Sequence, residues 1–92
     1  MVKVKIDGFI KKVNGEQKVN ANLKKKIVFV ETHGNKPQQY EVTFWNQKTD
    51  LLNGYNAGDG ILIEGFLNGK YFDKDGREGT YLSIVAESIQ KV

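Results

Sequence analysis

The sequence predicts an all-β domain, a small five-stranded barrel with one short helix between its third and fourth strands. Three observations carry this reading. Gly58–Val92 (GDGILIEGFLNGKYFDKDGREGTYLSIVAESIQKV) reads as one long, kinked β-hairpin. Three earlier apolar runs alternate with polar residues at the period of a strand. A single short segment, Gln47–Asn53, has helical character.

Within the hairpin, Ile61, Ile63, Gly65 and Leu67 alternate with Leu62, Glu64, Phe66 and Asn68. Gly65 has no side chain to pack, so it marks a bend or bulge of the kind a small curved barrel needs. Asp73-Lys74-Asp75-Gly76 is a turn, with Asp-Gly its strongest part. The chain returns through an apolar-rich run from Tyr81 to Ile89.

The first strand is Val2–Val13, with Val2, Val4, Ile6, Gly8 and Ile10 on one face. Gly8 marks a bend where inside and outside positions can exchange, so Phe9 is either core or an exposed ring. Asn14–Asn22 reads as a polar loop. Lys24-Lys25-Lys26 leads into the second strand, Ile27–Glu31. Three lysines at a strand start either grip phosphate or keep an edge from pairing with other chains. Thr32–Gln39 connects to the third strand, Tyr40–Trp45, which carries aromatic residues on both faces. Trp45 either packs beneath the following helix or is exposed for stacking. Leu51 and Leu52 are the helix's apolar residues, and Asn53-Gly54 can stop it. Three strands, a short helix and two strands form the plan of the OB-fold, a five-stranded Greek-key barrel.

Ninety-two residues allow one domain, 1–92, with a core near the lower practical limit. Hydrophobic residues make up 39% and charged residues 27%, so a folded chain is expected rather than a disordered one. There is no cysteine, which excludes disulfides and thiolate metal sites and fits a reducing, cytoplasmic setting. No apolar run has the length of a membrane span or the block of a signal peptide. Net charge is +3, unevenly spread. Met1–Lys48 carries ten lysines and four acids; Thr49–Val92 carries four basic and seven acidic groups. Such an excess is either a footprint for a phosphate backbone or a solubilising set.

Catalytic constellations are missing. His33 is the one histidine and sits in a Gly-containing loop. No triad, phosphate loop or His-Glu-x-x-His pair can be assembled. Asp73–Gly76 echoes the start of a calcium loop but lacks its later ligands. No cofactor is implied, and the expectation is a non-enzymatic binding protein. Binding is better supported. Single-strand binders need cations along the backbone and π-faces for bases. Tyr71-Phe72, flanked by Lys70, Lys74 and Arg77, supplies both on the hairpin that OB-folds use as a binding arm.

Gly58-Asp59, Ile63-Glu64-Gly65-Phe66-Leu67, Asp73-Lys74-Asp75-Gly76 and Ile84-Val85-Ala86-Glu87 together resemble the last two strands of bacterial or phage-type single-stranded DNA-binding proteins. That resemblance covers about the last third of the chain. It implies an OB-fold that binds single-stranded DNA with little sequence preference. It implies a stacking aromatic just before the turn, at Tyr71 or Phe72, and another at the end of the third strand, at Phe44 or Trp45. It also implies a homo-dimer or homo-tetramer built through the first strand. The family's acidic-hydrophobic tail has no counterpart before Val92, as expected of a short, tailless form from a phage, plasmid or accessory replication system. The expected nucleic-acid site is then Lys24, Lys26, Tyr40, Trp45, Lys70, Tyr71, Phe72, Lys74 and Arg77. Two other readings are a protein-interaction module and a single-stranded RNA binder.

Overall fold

Alternation along each strand decides which side chains meet inside the barrel. The structure is a computed structural model describing residues 1–92. Its elements are β1 (Val2–Val13), β2 (Gln17–Asn20), β3 (Leu23–Thr32), β4 (Gln39–Trp45), a 3₁₀ helix (Asn46–Leu52), β5 (Gly60–Lys74) and β6 (Arg77–Lys91). β1 pairs antiparallel with β5 and with β3, β3 with β4, and β5 with β6. A short parallel contact, Val42 opposite Ile84 and Thr43 opposite Val85, closes β4 onto β6. Five strands therefore form a closed OB-fold barrel, as the sequence predicts.

The inward rows make one core. Ile6, Ile10, Val28, Val30, Val42, Phe44, Leu52, Ile61, Ile63 and Ala86 are buried together. Phe44, left open between core and binding face, is a core residue with no exposed surface. The 3₁₀ helix caps one end of the barrel with Thr49 and Leu52, while Leu51 faces solvent.

Gly8 and Gly65 are where strands cross closest. A Cβ at Gly8 would collide with the Glu31 carbonyl oxygen, and one at Gly65 with the Val85 carbonyl oxygen. The β5–β6 register slips beside Gly65: Glu64 faces Ser88 and Gly65 faces Ala86, which leaves Glu87 as an extra residue. Such a bulge bends the strand and raises its twist, which turns the barrel corner.

Some expectations need correction. Asn14–Asn22 is not wholly loop, because Gln17–Asn20 forms β2 and pairs with the start of β3. The second barrel strand consequently begins at Leu23, and all three lysines lie within it. Inside and outside positions in β1 do not exchange at Gly8. They exchange at a bulge between Ile10 and Lys12, after which Val13 packs on the core. Phe9 stays on the outer face, half-buried and 5.6 Å from the His33 ring.

The tight crossing at Gly65 gives a stability test. Gly65→Ala should lower unfolding free energy by about 2–3 kcal/mol, because the added methyl meets backbone that cannot move aside. Gly15→Ala, with open space around it, should stay within about 0.5 kcal/mol. Urea denaturation of both variants measures the difference.

Candidate nucleic-acid interface

β5 and β6 run on past the barrel as a two-stranded arm. Their pairing continues from Asn68 opposite Ser83 to Lys74 opposite Arg77. Asp75 and Gly76 both have positive φ, 53° and 78°, and make the two-residue turn at its tip. Each face of the arm then follows from the period of two.

The outer face continues the barrel's exterior. It carries Lys70, Phe72 and Lys74 on β5, and Arg77, Gly79 and Tyr81 on β6. Phe72 and Tyr81 stack with ring centroids 4.4 Å apart and an interplanar angle of 28°. The Phe72 ring lies over Gly79, where an added Cβ would approach its Cζ to 2.9 Å. Gly79 thus provides the seat that holds Phe72 down. Tyr81 remains 66% exposed, so part of its ring is open to a ligand. Lys70, Lys74 and Arg77 form no ion pair. An open groove at the arm's tip is lined by Phe72, Lys74, Arg77 and Tyr81, with Asp75 and Glu78 at its edge.

The inner face continues the core rows. It carries Leu67, Gly69, Tyr71 and Asp73 opposite Ile84, Leu82, Thr80 and Glu78. The Tyr71 hydroxyl donates a 2.8 Å hydrogen bond to Glu78 Oε2. Adjacent in sequence, Tyr71 and Phe72 therefore stand on opposite sides. Tyr40 belongs with Tyr71. It shares its row of β4 with Val42 and Phe44 and lines a groove with Leu67, Leu82 and Ile84.

At the other end of β4, Trp45 is half-buried on the outer row opposite Lys25, whose Nζ lies 5.7 Å from the indole centroid. Lys24 and Lys26 fall on the alternate row. Lys24 pairs with Glu16 at 3.4 Å, and Lys26 faces Phe44 across the ladder. Between the two ends, the outer face carries Lys12 opposite Phe29 and Phe29 opposite Glu41. Glu31, on the same face, accepts a 2.9 Å hydrogen bond from Gln39 Nε2 and pairs with Lys11 at 3.2 Å. The Gln39 hydrogen bond first, then Lys11, holds its carboxyl below the usual range.

The nine expected site residues are therefore divided. Trp45, Lys70, Phe72, Lys74 and Arg77 are on the outer face; Tyr40, Tyr71, Lys24 and Lys26 are on inward-continuing rows. Lys25, Phe29 and Tyr81, outside the nine, lie on the same outer face. Counting alternate positions back from Val28 and out from Leu67 would have found Lys25 and separated Tyr71 from Phe72.

The fold and this face define a small OB-fold protein with a cationic, aromatic arm. The chain belongs to the family described as "Domain of unknown function (DUF3127)", whose model matches residues 5–90. Its barrel is similar to crystal structures of Rim1, a mitochondrial single-stranded DNA binding protein of S. cerevisiae. One has a TM-score of 0.81 at 24% identity, with 98% of this chain and 93% of that chain covered. The selenomethionine-labelled form has a TM-score of 0.76 at 23% identity, with the same coverage. No curated protein matches the sequence significantly. At these identities the likeness establishes the fold. The resemblance read from the last two strands holds at the level of the barrel, but both neighbours are mitochondrial and lend no weight to a bacterial or phage type.

The Tyr71–Glu78 contact has a pH signature. The hydrogen bond to Glu78 raises the Tyr71 phenol above its ordinary range. Folding thus favours the neutral phenol. The contribution is complete below the unfolded tyrosine range and disappears as pH rises through the raised folded value. An ultraviolet difference titration of wild type against Tyr71→Phe should show this ionisation, and Glu78→Gln should move it back down.

Proposed function

We propose that the protein binds single-stranded DNA, without catalysis and with little sequence preference, along the outer face of the barrel and arm. One observation carries the reading. The arm's outer face surrounds a stacked aromatic pair with three unpaired cations and contains no carboxylate on the paired rows. A base can lie against such a ring while a phosphate meets the adjacent charge. The likeness of the barrel to a protein named as a single-stranded DNA binder, and the motif order in β5 and β6, support it.

The track runs between two aromatic ends. Trp45 is two positions beyond Thr43, which faces Val85, and Tyr81 is four positions before Val85. Six residues of extended strand put roughly 20 Å between them. A strand of several nucleotides spans that distance, in keeping with about 4–16 nucleotides per OB-fold. Lys25 would meet phosphate at the Trp45 end, with Lys70, Lys74 and Arg77 at the arm. Lys11 and Lys12 offset Glu31 and Glu41 between them. Residues Val2–Asp7 of β1 pair only with β5, so the opposite edge is free for the self-association implied by the resemblance.

Fluorescence polarisation with labelled oligo-dT and matched duplex, at low and moderate salt, is the test. Salt-sensitive preference for oligo-dT is expected. Phe72→Ala with Tyr81→Ala should weaken binding about 5- to 150-fold, the equivalent of about 1–3 kcal/mol for one stacked base. Lys74→Gln with Arg77→Gln should reduce the salt slope by about 1.4, at about 0.7 per phosphate contact. The single tryptophan should be quenched on binding. Unchanged affinity in the folded aromatic double variant would rule out this face.

A further inference from the structure

We propose that the inner face of the arm is a docking surface for a protein segment that combines basic residues with bulky apolar ones. The arm sorts its charges by side. Its outer face has Lys70, Lys74 and Arg77; its inner face has Asp73 and Glu78 and no cation from Leu67 to the tip. Phosphate is attracted to one side and repelled from the other. DNA on the outer face therefore leaves the inner one free.

The inner face is also apolar and uncovered. Leu82 is 67% exposed, Tyr71 62% and Tyr40 38%. With Leu67 and Ile84, Tyr40 and Leu82 form the apolar part of an open groove of about 280 Å³ between the start of β4 and the arm, whose remaining lining includes the outer-row Glu41, Thr43 and Ser83. This row is the outward extension of rows that are buried inside the barrel. A two-stranded ribbon projecting from a sheet is marginal in water unless a third element packs on it.

Charge complementarity selects the occupant. Asp73 and Glu78 lie toward the tip, and the apolar groove lies at the base. A partner with bulky apolar side chains at the groove and lysine or arginine toward the tip would satisfy both regions. A second copy packed on this face would present the same surface, which carries no cation, so Asp73 and Glu78 would gain no opposite charge. Tyr71 contributes a further feature. Its hydroxyl holds the Glu78 carboxylate at 2.8 Å, fixing one acceptor on the face.

The experiment uses the full chain. A labelled peptide of alternating lysine and leucine is titrated in fluorescence polarisation, beside a glutamate–leucine control. Backbone amide shifts are recorded by NMR in parallel. The basic peptide should bind, shift the amides of Tyr40, Tyr71 and Leu82, and remain bound when oligo-dT is added. Leu82→Ser and Glu78→Lys, both at exposed positions, should each weaken peptide binding at least tenfold. Leu82→Ser should leave oligo-dT affinity unchanged. Failure of the basic peptide to bind, equal binding of the acidic control, displacement by oligo-dT, or full binding by Leu82→Ser would each overturn the proposal. So would concentration-dependent self-association abolished by Leu82→Ser, which assigns the face to a second copy. Oligo-dT titration of the same sample reads the DNA-binding proposal separately.

Discussion

The close approach of Gly65 to the Val85 carbonyl governs the whole structure. Without a Cβ at that point, β5 can cross tightly over β6, and Glu87 can be extruded as the bulge. The crossing turns the barrel corner and leaves Ile61, Ile63 and Ala86 pointing into the core. It also fixes the pairing register from Gly65 to the tip, because no further slip follows before Lys74 meets Arg77. Which side chains stand on which side of the arm is therefore decided more than one strand-length away, at the bulge. A one-residue slip there would turn β6 over, placing Glu78 among the lysines of β5 and Arg77 beside Asp73.

This coupling explains how so small a chain carries a large exposed surface. Ten buried apolar residues supply the core, while about half of each long strand lies beyond it. The arm has no core of its own and relies on cross-strand pairs. On its outer side, Phe72 lies over Gly79 and stacks on Tyr81; on its inner side, Tyr71 is tied to Glu78. Each pair bridges the two strands, and such contacts contribute about 0.2–1 kcal/mol apiece. The aromatic residues thus hold the ribbon in shape as well as presenting surface. A ring pinned against its neighbour loses less freedom when a ligand stacks on it, which favours binding.

Much of the architecture was legible because alternation and glycine placement are local signals. Ile61, Ile63, Gly65 and Leu67 state their face directly, and the Gly65 bend follows from a missing side chain. β2 was not legible. Gln17–Asn20 is exposed at every position and pairs on one side only, so no apolar period marks it. The bulge in β1 was hidden for a related reason. Lys11 and Lys12 are both compatible with solvent, and only the pairing of Lys12 with Phe29 reveals the slip. For the candidate site, residue types were legible but sides were not. Composition places Tyr71 and Phe72 together, whereas geometry separates them.

That separation bears on how binding motifs are read from strands generally. Clustering in sequence favours neighbours such as Tyr71-Phe72 or Lys24-Lys25-Lys26. In a strand, however, neighbours are the residues least able to act together. Lys25 joins Trp45 across the ladder, while Lys24 and Lys26 turn away from it. Lys70, Phe72 and Lys74 share a face because they are two apart, and Tyr81 joins them from the opposite strand. A mixed run such as Lys70-Tyr71-Phe72-Asp73-Lys74 consequently encodes two surfaces at once, one for each parity. In the arm the even positions of β5 set Lys70 and Lys74 around Phe72, and the odd positions set Tyr71 and Asp73 beside Glu78 and Leu82 of β6. One ribbon can then present opposite chemistries a single strand-thickness apart, with no extra residues and no second domain.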